Sequence, residues 1–463
     1  MTTTATSAPE RSTGGTSAGA PPGSAGRKAV PAVVPTVPAA LPEVVARTLP
    51  NGLRVQVVAR RSVPLVELRL RIPFAGVGPA HRAAAELLSE TLLTGSARRD
   101  RVGIATAVQA LGGSLRVGVD PDRLIVVSSA LATSLEPLLA LVAEILTEAT
   151  FPDDEFTGER DRLVEETTIA RSQPAVIARE ALLGRMFGDH PYGIALADPA
   201  ILGGMDVAQV RSLHAARVSP NGAILTLVGD LEPERALDAV QAAFGEWTGG
   251  EGETAAPAPV PVPGPIVLVD RPGAVQTNIR MGGVALDRTD PRHPALRLAS
   301  TIFGGYFSSR LVSNIREDKG YTYSPRSSVD HYQAGSRFTV AADVATDVTG
   351  PALLEVLYEL GRMAVLPPTE EELEAARQYL IGTLALSSAT AAGLAGTLSS
   401  LAGAGIGVEY LRDHPEALSR VTREEVQAVS AELLAPASLV TVLVGDASKI
   451  ADTVRTLGVV ETG

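Results

Sequence analysis

AILTLVGDLEPERALDAVQAAF, residues 223–244, and LVTVLVGDASKIADTVRTLG, residues 439–458, follow the same order of elements. Each is an apolar strand run, a Gly-Asp turn and then a helix, and both place Val-Gly-Asp at the strand end. Asp230 and Asp446 stand where a carboxylate accepts backbone hydrogen bonds at a turn or helix start. Similar domain lengths around the two copies point to duplication. Between them lies TGGEGETAAPAPVPVPGP, residues 248–265. Glycine makes its start flexible, repeated proline stiffens its end, and no helix or central strand accepts so many prolines. It reads as an interdomain linker over 249–265, dividing the body into domains 39–248 and 266–463.

The domains open alike. NGLRVQVVARRSVPLVELRLRIPFAG, residues 51–76, has an Asn-Gly turn followed by two strand runs, then a helical segment from about residue 80. LIVVSSALATSLEPLLALVAEILT, residues 124–147, adds a strand and an amphipathic helix. The second domain starts with PIVLVDRPGAVQTNIRMGGVAL and HPALRLASTIFGG, and FTVAADV with PALLEVLYELGRMA repeats the strand–helix pair. The expected fold class is α+β, two similar domains of a sheet packed beneath helices. The regular short βα units of a barrel are absent.

The 463 residues carry a formal net charge of -12 with no Lys/Arg cluster, which excludes nucleic-acid binding by a broad basic surface. A cleft can still carry its own local charge. Without cysteine there are no disulfides, thiolate metal sites or cysteine nucleophiles, and six histidines leave few zinc ligands. Residues 1–38 are rich in Ser, Thr, Gly, Ala and Pro, lack a secretory pattern, and are expected to be a disordered extension. No long apolar run resembles a membrane span, and a cytoplasmic protein is expected.

AAAELLSETLLTGS, residues 83–96, is Ala- and Leu-rich like a buried helix, yet carries Glu86, Ser89 and Glu90 on it. Glu86 and Glu90, four apart, project from one face. A catalytic zinc pair wants imidazoles at those two places and a carboxylate base at the position of Ser89. All three types are wrong. Arg82 and Glu86 form an i,i+4 pair, Ala84, Leu88 and Leu92 supply a buried stripe, and the acidic side is expected to face water. His81 reads as a helix-start or surface residue.

Over roughly residues 40–460 the chain resembles the pitrilysin/insulinase-like peptidases, whose small members resemble the subunits of processing peptidases. In that family an inverted zinc motif, HXXEH, lies shortly before a small Gly-Thr turn. Here the turn is Gly95-Ser96, and counting back places ELLSE over the motif, with ligand positions at Glu86 and Glu90 and the base position at Ser89. The third family ligand, a glutamate in a charged helix, matches Glu166 within ERDRLVEET. The strongest resemblance is FGGYFSSRLVSNIREDKGYTYSPRSS, residues 303–328. It has the Gly-rich opening at Gly304 and Gly305, the Ser309-Arg310-Leu311 helix, and Arg316 and Tyr323 in an Arg-(six residues)-Tyr signature. Gly320 is placed to end the helix between them as a left-handed C′ residue.

The resemblance implies a clam-like chamber whose second domain closes over the first. In it Arg316 and Tyr323 hold the substrate backbone or its reacting carbonyl, since arginine offers a fixed donor fork and a phenol supports developing negative charge. Gly304 and Gly305 shape the cleft. Some family members divide the work, one subunit carrying zinc and the other the Arg/Tyr pair, and this chain resembles the second kind. It implies a non-catalytic subunit, inactive in isolation and without metal of its own. Its partner would be a zinc-bearing subunit of the same family, and its substrate a peptide or unfolded polypeptide. Alternatives are a structural scaffold and a peptide-binding maturation factor. GDHPYG, residues 188–193, resembles a chamber-shaping loop, and the remaining histidines form no set in sequence. No nucleotide-binding or nucleophile-elbow context is present.

Overall fold

The computed structural model describes residues 41–250 and 252–462, so the expected extension over 1–38 lies outside the described residues. The first half supplies β1 (Val45–Thr48), β2 (Arg54–Ala59), β3 (Leu65–Pro73), β4 (Ser114–Val119), β5 (Arg123–Leu131) and β6 (Ile224–Gly229). They form one sheet in the order β1-β2-β6-β3-β5-β4. The second half supplies β7 (Ile266–Asp270), β8 (Gln276–Ala285), β9 (Arg326–Tyr332), β10 (Gly335–Ala345), β11 (Val440–Gly445) and β12 (Val460–Thr462), ordered β12-β7-β11-β8-β10-β9. In both sheets the Val-Gly-Asp strand sits between a parallel neighbour and an antiparallel one: β6 between β2 and β3, β11 between β7 and β8. The repeat read in the sequence is therefore a repeat of topology. Only the outermost strands differ. β1 precedes β2 through the Asn51–Gly52 turn and pairs antiparallel, with Gly52 at φ 90°, whereas β12 follows the last helix and pairs parallel to β7.

The two aspartates diverge. Asp446 caps the helix Ala447–Arg455, accepting from Ser448 N at 3.2 Å, and also accepts from Gly273 N at 3.0 Å. Asp230 caps nothing: Glu232, two residues later, takes the cap of Pro233–Phe244, and Asp230 lies 4.0 Å from Arg61. The inserted Leu-Glu before Pro233 moves the helix start beyond the reach of Asp230.

Each half lends a helix to the other's sheet. Helix Pro174–Phe187, from the first half, lays Ala178, Leu182 and Met186 on Val440, Val442 and Val444 of β11. Gly282 of β8 permits this approach, since a Cβ there would stand 2.5 Å from Met186 Sδ. Helix Ala391–Gly403, from the second half, lays Leu394, Ala395 and Leu398 on Val58 and Val228 of the first sheet. Being covered on both faces explains why β6 and β11 are almost wholly apolar, interrupted only by Thr226 and Thr441, and buried at every residue. Each fully buried Leu contributes about 1.5–3 kcal/mol, so the exchanged helices bind the halves together as well as completing each core.

A polar bridge reinforces them. Tyr192, in the GDHPYG loop, donates its hydroxyl to the fully buried Asp122 at 2.6 Å and accepts from Ala334 N at 2.9 Å in the β9–β10 turn. Gln333 N donates to the other Asp122 oxygen at 2.9 Å. The 252–264 stretch has no regular element but is tied across the same place, with Ala258 N donating to Ala334 O at 2.8 Å. Tyr192→Phe is expected to cost about 2 kcal/mol by removing a donor from a buried carboxylate, read as a lowered urea midpoint with unchanged slope. Among the described residues no single helix is long and apolar enough to cross a membrane. The bent pair Glu370–Ser387 and Ala391–Gly403 passes only in length and composition.

Candidate functional site

The helix Gly78–Thr91 carries the degenerate motif. Ala84, Leu88 and, just beyond it, Leu92 are buried as the apolar spacing predicts. The acidic face is open to water, as expected, only at Glu90. Glu86 is only 13% exposed along its side chain and pairs with Arg82 Nε at 2.6 Å, because neighbouring helices pack over it. Ser89 is buried, and its hydroxyl donates to the Glu86 carbonyl at 2.9 Å, leaving no free base function. His81 lies within the helix, its Nε2 at 3.1 Å from Phe74 O.

Helix Asp153–Ser172 crosses this helix and places Arg162 over its end. One guanidinium meets Glu90 at 2.5 Å, Glu159 at 2.7 Å and Glu166 at 2.6 Å. Arg101 closes on the buried Glu159 at 2.8 Å. The second and third ligand positions implied by the resemblance are thus brought together, but around a covalently tethered cation. Glu159 above all, then Glu166 and Glu90, holds Arg162 protonated well above its ordinary range. These residues do not fit zinc: there is no imidazole, Glu86 is engaged by Arg82, and Glu90 and Glu166 already share Arg162. Among the described residues no group of three or more His, Asp or Glu is arranged to hold a metal ion. Sequence reasoning passed over Glu159 and Arg162, although their i,i+3 and i,i+4 spacing with Glu166 was readable.

The Arg/Tyr signature is also assembled. The Arg316 guanidinium lies 4.7 Å from the centre of the Tyr323 ring and 5.0 Å from that of Phe307, and pairs with Glu317 at 3.0 Å. Gly320 has φ 65°, the left-handed conformation that ends the preceding π-type turn Val312–Asp318 and turns the chain back toward Tyr323. Tyr323 is 79% exposed, so its hydroxyl is free to meet a ligand. A cavity of about 690 Å³ opens here, lined by Gln276, Arg316, Glu317, Thr322, Tyr323 and Asp343 among others, all from the second half. Gly304 packs where a Cβ would come within 3.0 Å of Ser327 N, and Arg310 holds Glu372 through two bonds of 2.6 and 2.8 Å. Neither Gly304 nor Gly305 lines this cavity. Nothing from the 83–96 helix lines this cavity.

The histidines, which form no set in sequence, do assemble. His293, His331 and His414 come from a helix start, β9 and the helix Tyr410–Arg420. His293 Nε2 lies 3.2 Å from His331 Nε2, and His293 and His414 ring centres are 5.8 Å apart. Ser336 donates to Asp287 at 2.6 Å, so His331 Nδ1 donates to Ser336 at 2.9 Å and His331 Nε2 accepts from His293. Burial first, then neighbouring cationic groups, pushes His293 down to about 2, His331 to about 3 and His414 to about 4. In the unfolded chain each protonates near its ordinary value of about 6.5. Their folded values lie below that, so stability is full above pH 6.5 and falls as pH drops from there toward 4. Between pH 7 and 5 a loss of about 2 kcal/mol per histidine is expected, and His414→Gln should flatten the melting profile over this window.

The chain matches two family models in tandem, insulinase (peptidase family M16) over residues 79–200 and the peptidase M16 inactive domain over 204–380. It is 28% identical to an uncharacterized zinc protease of Mycobacterium tuberculosis, covering 84% of this chain and 90% of that one. It is 26% identical to one of Mycobacterium leprae, covering 73% of this chain and 78% of that one. A crystal structure described as the peptidase M16 inactive domain from Pseudomonas fluorescens superposes with a TM-score of 0.81 at 26% identity, covering 87% of this chain and 98% of that one. A protease from Helicobacter pylori shares the fold, with TM-score 0.79 at 17% identity over 88% of this chain and 100% of the other.

Proposed function

The chain belongs to the insulinase (M16) peptidase family, and from that premise we propose that it is a non-catalytic subunit completing the peptide cleft of a zinc-bearing partner of the same family. The observation that carries this reading is the contrast between its two family sites. At the motif positions, Arg162 occupies the carboxylates a metal would need. At the signature positions, Arg316 and Tyr323 stand together on an open wall. A subunit kept for its wall alone retains the second and loses the first.

In this role the protein binds and orients. Phe307 and Tyr323 flank the Arg316 guanidinium and limit its rotamers, so less freedom is lost when its fork meets a peptide carbonyl. The exposed Tyr323 hydroxyl donates a second hydrogen bond. Co-expression with a family member bearing intact HXXEH tests the proposal. A stable complex should hydrolyse an unfolded polypeptide, while this chain alone shows no hydrolysis and no stoichiometric zinc. Hydrolysis by this chain alone, or no gain when the two are combined, would sink it.

A further inference from the structure

A second cavity, about 560 Å³, lies where helix Ala391–Gly403 meets the second domain. Its charged and titratable lining is Arg288, Arg297, His293, His331, His414 and Tyr410, with no carboxylate among its lining residues. That is unusual in a chain with a net charge of -12. Ser400 and Thr397 add hydroxyls, and Val329, Leu380 and Leu384 an apolar floor. Arg288 reaches only Ser400 Oγ, at 3.2 Å, and among the described residues no ion pair relieves either Arg288 or Arg297. Burial lowers both guanidinium pKa values, and Arg288 repels Arg297 more than Asp330, which itself pairs with Arg337 at 3.0 Å, attracts it. An adjoining cavity of about 480 Å³ shares Arg288, His331 and Ser400 and adds Arg71 and Arg123 from the first half. Its acids are spoken for: Asp287 accepts from Ser336, and Asp120, beside the cavity, pairs with Arg123 at 2.8 Å. Arg71, pushed down to about 10 by burial and then by Arg123 against a weaker pull from Asp120 and Asp122, makes no ion pair among the described residues.

Uncompensated buried cations are costly, and a protein that keeps several around an open volume gains from an anion there. We infer that this second-half cavity, under the helix Ala391–Gly403 that covers the first sheet, is an oxyanion-binding site, taking a carboxylate or phosphate group on the guanidinium forks of Arg288 and Arg297. The Tyr410 and Ser400 hydroxyls are further donors, and His414 stacks on the Tyr410 ring at 4.5 Å with its nitrogens unpaired among the described residues. Such a site needs no zinc-bearing partner. Its two natural sources are a free oxyanion and the terminal carboxylate of a peptide whose last side chain fills the apolar floor.

Titration calorimetry on the whole chain separates them, using three probes: inorganic phosphate, a short peptide ending in leucine with a free carboxylate, and its C-terminal amide. Binding of phosphate, weakened at least tenfold in Arg297→Gln and Arg288→Gln, assigns the site to a free oxyanion. Binding of the free-acid peptide but not its amide, with the same arginine dependence, assigns it to a peptide end. Both substitutions relieve like-charge repulsion and should leave the circular dichroism spectrum intact. Arg297→Lys, which keeps the charge but not the fork, gives an intermediate affinity. Failure of both phosphate and the free-acid peptide to bind, or affinities unchanged in the glutamine variants, overturns the proposal.

Discussion

Arg162→Met lowers the stability of the isolated chain by about 2 kcal/mol, read from urea unfolding. The loss does not come equally from its three partners. Glu90 and Glu166 are 41% and 57% exposed along their side chains, and such pairs are each worth about 0–1 kcal/mol. Glu159 is 7% exposed, and stripping a partner from a buried carboxylate would cost about 3–5 kcal/mol if nothing else held it. Arg101 still holds it, which brings the expected total down. The same residue is expected to govern metal affinity. Glu86→His, Ser89→Glu and Glu90→His together restore the donor types of a zinc motif, yet Arg162 continues to hold Glu166 and place a positive charge beside the site. Adding Arg162→Gln to that triple variant is expected to tighten zinc binding more than tenfold, measured by equilibrium dialysis. Equal zinc affinity with and without Arg162 would show that the guanidinium does not stand in the metal's place.

In the proposed complex with a zinc-bearing partner, Arg316→Ala is expected to lower kcat/KM by about 100-fold, roughly 2.7 kcal/mol of transition-state stabilisation. Tyr323→Phe has a smaller effect, falling on kcat rather than on assembly, because the ring that flanks Arg316 remains and only the hydroxyl is lost. Arg316→Lys does not rescue: a lysine keeps the charge but not the fork that meets a carbonyl in fixed geometry. Size-exclusion chromatography of each variant complex separates loss of turnover from loss of assembly. Unchanged kinetics in an intact Arg316→Ala complex would favour the scaffold alternative.

Much of the arrangement was legible because its signals are local. The Val-Gly-Asp repeats lie one to a sheet, on equivalent strands, since a buried strand followed by a turn and helix writes itself in consecutive residues. Arg316, Gly320 and Tyr323 are also close in sequence, and a glycine at the helix end sets their geometry. Two features were not legible, for one reason. The ion pair that closes on Glu90, which itself stays exposed, and the cluster formed by histidines that make no set in sequence both depend on a neighbour distant in the chain, Arg162 for Glu90 and β9 for His293.

The sequence by itself determined the duplicated α+β domains and the absence of a histidine zinc pair at positions 86 and 90, and its resemblance to the family singled out Arg316 and Tyr323. Periodicity, turn chemistry and donor type are properties of short stretches and carry the first two conclusions without a fold. Only the tertiary structure decided that Arg162 gathers Glu90, Glu159 and Glu166, that each half covers the other's sheet with a helix, and that Arg288 and Arg297 face a cavity free of carboxylates. Charge pairing and burial depend on which segments pack together, and here the partners come from elements far apart in the chain.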